Sequence, residues 1–294
     1  MPKHGPNDSD LVPMDERDWR FEPAELPDFA MDMFHDAIDV GFSDFGGLRQ
    51  DEKAISAAEV TLRWLLGEHP NFIDGHHHLA LLLNETGRTE EARLHWERAV
   101  NIGMQEFIGN LSASGNSLRW GWLGNRPFLR AYHSTGLQCM REGNFFRAIA
   151  IFDTMLRINP DDNQGARLIL VECYFEIDRP ADVLRVCMKY SDDCCSENLL
   201  YGKVLALFKL GKRERAEKAL AQAERCLPKV AAELVKRSHK RPQRMWKNSI
   251  CVGGDDQAFS YWERQGKVWK RTPGAIDMVK DFLAKKSVSG GIHV

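Results

Sequence analysis

Apolar and polar positions alternate through the middle of the chain with a helical beat. Between 54 and 228 a small residue is followed four positions later by a bulky one at Ala58/Leu62, Ala92/Trp96, Ala148/Phe152, Val183/Cys187 and Ala216/Leu220. Four residues are about one helical turn, so each pair shares a face. Five residues before the small one stands Gly87, Gly143, Asp178 or Gly211, and twelve after it stands Pro70, Pro160 or Pro228. The small residues lie 34, 56, 35 and 33 apart, which is a 34-residue unit with 22 residues inserted once, near 103–126. Each unit is predicted to be two antiparallel helices. Glycine lets the chain reverse without a Cβ clash, alanine lets two backbones approach, and proline ends the second helix.

This spacing resembles the tetratricopeptide repeat (TPR) over about 54–228, with GNFFRAIAIFDTMLRINPDDN at 143–163 as the clearest copy. The resemblance implies an all-α fold, a right-handed α-solenoid of TPR helical hairpins with an interrupted repeat and a C-terminal helical cap. It also implies a concave surface lined by the first helix of each unit. Counting along those helices, the predicted groove residues are His77, Asn84 and Glu85, then Arg130, His133, Met140 and Arg141, then Glu172 and Glu176, and finally Tyr201, Phe208 and Lys209. Leu81 and Leu137 lie on the same stripe. Some TPR proteins hold chaperone C-termini with a Lys/Asn/Arg clamp; His77 and Leu81 stand here in place of its Lys and Asn, which speaks against that partner.

The three consecutive histidines in IDGHHHLALLLNETG, 73–87, open such a first helix. Neighbours on a helix fan out by about 100°, so three in a row do not converge on one ion, and only His77 is expected on the inner wall. Within the insertion, Trp120, Trp122 and Arg126 either contact a partner or plug the gap where the repeat is broken.

Residues 1–28, rich in proline and acids, are expected to form a disordered tail, followed by a helix capped by Asp28 with Phe29, Met33 and Ala37 on one face. The solenoid is expected to span 29–228, a basic helical cap 229–286, and a flexible tail 287–294. Net charge is only −2, but residues 1–60 carry 15 Asp/Glu against 5 Lys/Arg, and 229–286 carry 14 Lys/Arg against 6 Asp/Glu. The hydrophobic content of 43% is that of a soluble protein, no apolar run is long enough for a membrane span, and a cytoplasmic location is expected. The seven cysteines contain no C-x-x-C; most are read as core residues rather than disulfides or zinc ligands.

From about 170 to 280 the chain also resembles the family of the suppressor of tumorigenicity protein 7. The likeness rests on PADVLRVCMKYSDD, Pro228-Lys229-Val230 and GDDQAFSYWERQGKVWKRTPGAIDMV, and it implies an interaction protein without established catalysis. No phosphate loop, H-E-x-x-H, G-x-S-x-G or calcium loop is present, so no enzyme, metal or cofactor is nominated. The expected function is a protein-interaction scaffold that takes an unidentified protein or peptide in the groove. Two other readings are a nucleic-acid-associated protein using the basic C-terminal segment with Trp246 and Trp269, and an enzyme with an unrecognised site.

Overall fold

The computed structural model describes residues 10–13, 18–22, 26–43, 47–107, 116–243, 245 and 249–290. Its contacts divide the chain into two compact units, 1–166 and 167–294. Among the described residues the fold is all-α apart from one small β-ribbon, and helices adjacent in sequence pack together as TPR-like hairpins.

In the first unit α1 (Asp28–Gly41) packs on α2 (Glu52–Glu68), α3 (Ile73–Glu85) on α4 (Thr89–Phe107), and α5 (Arg126–Arg141) on α6 (Phe145–Ile158). The predicted crossings are the core: Ala58, Ala92 and Ala148 are buried, and so are Leu62, Trp96 and Phe152 one turn on. The approach is close opposite Phe152, where a Cβ on Gly136 would lie 2.6 Å from the ring. The second unit runs from α7 (Ala166–Glu176, its first residue in the first unit) through α8 (Pro180–Lys189), α9 (Glu197–Lys209), α10 (Arg213–Cys226), α11 (Pro228–Leu234) and α12 (Asp255–Lys270) to α13 (Ala275–Gly290). Val183, Cys187, Ala216 and Leu220 fill its crossings.

The hairpin turns carry the predicted conformation. Gly87, Gly143 and Gly211 have φ of 84°, 74° and 71°, and Asp178, at the same place in its unit, is forced to 53°. A left-handed backbone is strained for a residue with a Cβ. The exposed ion pair of Asp178 with Lys209, 2.9 Å, offsets little of that. Asp178→Gly is therefore expected to stabilise the second unit by about 0.5–1 kcal/mol. A rise in the urea midpoint would show it; an unchanged or lower midpoint would mean that the side chain contributes more than the strain removes.

Three expectations are corrected. The acidic tail is not wholly irregular: β1 (Asp10–Pro13) pairs antiparallel with β2 (Trp19–Glu22), and Phe21 is buried. Buried Asn125 pins this ribbon by accepting from the Phe21 N–H (2.9 Å) and donating to the Trp19 and Arg119 carbonyls (3.0 Å each). Secondly, Asp28 is the first residue of α1 rather than its cap, and the buried face is Ala30, Phe34, Ala37 and Gly41, with Phe29 exposed. The phase differs because Phe34 is needed against Phe72 and His78. Finally, only Cys139, Cys173 and Cys187 of the seven cysteines are buried.

Candidate interaction site

The three histidines diverge as their helical spacing requires. His76 points back to the packing side, with Nε2 3.0 Å from the Pro70 carbonyl and Nδ1 2.9 Å from His95 Nδ1. A carbonyl only accepts, so neutral His76 carries its proton on Nε2 and takes the His95 proton at Nδ1. Burial pushes its pKa down to about 4. His78 sits with its Nδ1 3.1 Å from an Asp74 carboxyl oxygen, its ring edge-on to Phe34 and Phe42. His77 is buried beneath the inner surface, 4% exposed, and its Nδ1 has no hydrogen-bond partner among the described residues.

Asp74 links α3 to α5. Arg130 Nη2 donates to both its carboxyl oxygens, at 2.8 and 3.0 Å. Burial alone would raise this carboxyl, but the His78 hydrogen bond and the nearby Arg130 charge hold it below the usual carboxylate range. One turn on, burial pushes His133 down to about 4, and one ring nitrogen bonds to the Gln164 backbone. That bond favours the protonated form, so its acceptor is the carbonyl and Nε2 of the neutral ring is an acceptor. Neither His133 Nε2 nor Arg130 Nε has a partner among the described residues. Around these groups Leu81, Asn84, Leu137 and Met140 are half-buried, while Glu85 and Arg141 are exposed. This face therefore combines half-buried apolar side chains with exposed Glu85 and Arg141, while the partnerless Arg130 Nε and His133 Nε2 lie beneath it. His77 is corrected from a lining residue to a support beneath the lining.

The insertion divides between the two roles left open for it. Trp120 and Arg126 are structural: the Trp120 N–H donates to Asn159 Oδ1 (3.2 Å), Arg126 Nε donates to the Trp120 carbonyl (3.1 Å), and its guanidinium lies 5.2 Å over the Trp120 ring. Trp122, 38% exposed, and Leu123, 70% exposed, remain on the surface.

In the second unit the same inner stripe is already filled. Arg264 of α12 lies 3.1 Å from Glu172 and 2.6 Å from Glu197, and Gln257 Nε2 donates to Glu197 at 2.7 Å. Tyr261 lies beside Tyr201, Arg271 pairs with Glu176 at 3.2 Å, and Gly274 lies against Phe208. Residues 257, 261, 264, 268 and 271 are spaced like one face of a coiled helix, which is how a single helix serves all these partners. Tyr201 is fully buried; its hydroxyl donates to the Leu227 carbonyl (2.8 Å) and accepts from the Ala231 N–H (3.1 Å). Glu172, Glu176, Tyr201, Phe208 and Lys209 are thus corrected from open groove residues to partners of the chain itself.

Arg264→Ala would leave Glu172 and Glu197 buried without their cation, at a cost of about 2 kcal/mol, less than for a fully buried pair because Arg264 is 37% exposed. Burial already raises the Glu172 carboxyl, so the loss should shrink in the double variant with Glu172→Gln. Denaturant unfolding of the two variants checks this; equal losses would mean that Glu172 does not depend on Arg264.

Asn125 was the residue missed by sequence reasoning. Its only signal is its place directly before Arg126-Pro127, and nothing in the sequence marks the strand it holds.

With the geometry in place, comparison with known proteins gives one decisive result: residues 56–281 match the family described as Transcriptional repressor TCF25. The chain belongs to the TCF25 family. The segment that resembles the suppressor of tumorigenicity protein 7 lies inside this match, so that resemblance is replaced by TCF25 membership. No curated protein sequence matches the chain. Among solved structures, a Podosopora anserina putative kinesin light chain with nearly identical TPR-like repeats is similar at 15% identity and TM-score 0.46, covering 73% of this chain and 100% of that one. A structure of Naa15/Naa10 bound to HypK is similar at 17% identity and TM-score 0.46, covering 88% of this chain and 34% of that one. A TPR protein from Parabacteroides merdae is similar at 16% identity and TM-score 0.33, over 86% and 98% of the two chains. The helix pairs described above establish the fold independently of these likenesses. Among the described residues no helix of this TCF25-family chain is long and apolar enough to cross a membrane.

Proposed function

We propose that this chain is a non-catalytic protein-interaction module that receives a peptide segment on the α3/α5 face of its first unit. What supports the reading is a contrast between two equivalent stripes. In the α7/α9 stripe Glu172 is engaged by Arg264 and Glu176 by Arg271, whereas the α3/α5 stripe leaves Leu81, Leu137 and Met140 half-buried and Glu85 and Arg141 exposed. A peptide would bury its apolar side chains on Leu81, Leu137 and Met140 and meet polar groups at exposed Glu85 and Arg141. The family description of a transcriptional repressor fits a module that acts by bringing proteins together.

The test is a displayed peptide library selected on the purified chain. Binders should lose at least tenfold in affinity with Leu137→Glu and Met140→Glu, and nothing with Lys218→Glu on exposed α10. Binders indifferent to both α5 variants would place recognition elsewhere.

A further inference from the structure

Many described cations of the C-terminal part of the second unit have carboxylate partners: Lys229 with Asp255, Lys236 with Glu233, Arg264 with Glu172 and Glu197, Arg271 with Glu176, Lys280 with Asp277 and Lys286 with Glu224. Exposed cations without an ion pair occur along α10, at Arg215, Lys218 and Arg225, and in a second group beside α12. Among the described residues Arg237, Lys240, Arg241 and Lys267 are exposed and have no ion-pair partner.

The first three belong to the irregular segment after α11, and that segment is held in place. His239 stacks on Trp262 of α12 at 3.6 Å and 14°, and its Nδ1 lies 2.8 Å from Glu233. Between the segment and α12 lies an open cleft of about 290 Å³ lined by His239, Phe259, Trp262, Glu263, Lys267 and Lys270 with Gly266. Lys267 and Lys270 line this cleft, and Arg237, Lys240 and Arg241 flank its His239 in sequence; cations brought close together attract an extended anion.

The cleft offers little to an apolar anchor. Trp262 carries His239 on its ring and Lys270 at 4.8 Å, and Phe259 is 7% exposed. Trp269 is fully buried, its Nε1 donating to Tyr261, so its ring is not open to a ligand; Trp246 lies outside the described residues. Protein interfaces take most of their energy from aromatic and apolar anchors, whereas nucleic-acid backbones are held mainly by arginine and lysine on phosphate. Glu263 is the one carboxylate lining the cleft.

The geometry points to a sequence-independent docking surface for the phosphate backbone of nucleic acid, formed by Arg237, Lys240 and Arg241 beside His239 with Lys267 and Lys270 of α12. This surface is separate from the α3/α5 face, so either can fail without the other. The full chain should bind a labelled 20-nucleotide RNA and the matching single-stranded DNA alike, and four or five phosphate contacts set the log affinity against log salt slope at about −3. Arg237→Ala with Lys240→Ala and Arg241→Ala should weaken binding at least tenfold and flatten the slope to about −1. Lys267→Ala, on α12, should flatten it by about 0.7. The charge-retaining Arg237→Lys, Lys240→Arg, Arg241→Lys should bind as the parent does, which separates charge from folding. No binding at 50 mM salt, or an unchanged slope in the alanine variants, would overturn the assignment. Equal displacement by polyglutamate at matched charge would also overturn it, in favour of an acidic polypeptide.

Discussion

Trp269→Ala is expected to cost the second unit about 4 kcal/mol. The indole is fully buried, and its Nε1 donates at 2.9 Å to the hydroxyl of Tyr261, which is itself buried. Truncation removes the apolar contact of a large ring, opens a cavity that helices cannot readily close, and leaves a buried hydroxyl short of its donor. Trp269→Phe keeps most of the packing and should cost about half as much. Hydrogen exchange of the α9 and α12 amides reads the loss directly, because it reports the opening of these helices. The prediction matters for function because Tyr261 and Val268, on the face that fills the α7/α9 stripe, flank and share the core with Trp269. A loss below 1 kcal/mol would make α12 a loosely held strap and return the α7/α9 face to the list of partner surfaces.

Acidification from pH 7 to 4.5 should destabilise the first unit selectively. Burial pushes both His76 and His133 to about 4, against 6.5 for the free side chain. A depressed folded-state value means that the unfolded chain binds more protons between about 6.5 and 4, so stability falls as pH falls through that window. Each histidine contributes at most roughly 3 kcal/mol. His77 and His95 are lowered in the same sense, also by burial first. Glu59, held at about 2 chiefly by its Arg88 hydrogen bond, keeps its charge throughout and does not mask the trend. The second unit has the opposite tendency at Glu172, whose burial raises its carboxyl, so its stability is favoured as that group protonates. Exchange of α3 and α5 amides, corrected for intrinsic rates, should accelerate at pH 4.5 relative to α9, and His76→Asn should reduce the difference. Equal acceleration in both units would show that these buried imidazoles do not govern the acid response.

The repeat was legible because its signals are local. A small residue, a bulky one a turn later and a glycine five positions earlier all act within one hairpin, and even Asp178 adopts the glycine conformation that its position demands. What fills the α7/α9 stripe was not, because Arg264, Tyr261 and Arg271 come from 60 to 95 residues away and their heptad-like spacing reads equally well as an ordinary amphipathic face. Asn125 illustrates the same limit. Its bonds to Trp19 and Phe21 span more than 100 residues, and composition alone made the 1–28 region look unstructured.

The central claim is that a partner meets α5 and finds α9 already taken. The direct measurement places a photo-crosslinking benzoylphenylalanine at Met140 in one variant and at Phe208 in another, each incubated with extract of the native host and irradiated. Met140 should yield a crosslink to another polypeptide, and Phe208 should yield only intramolecular products with the segment around Gly274. A partner captured from Phe208 and none from Met140 would contradict the account.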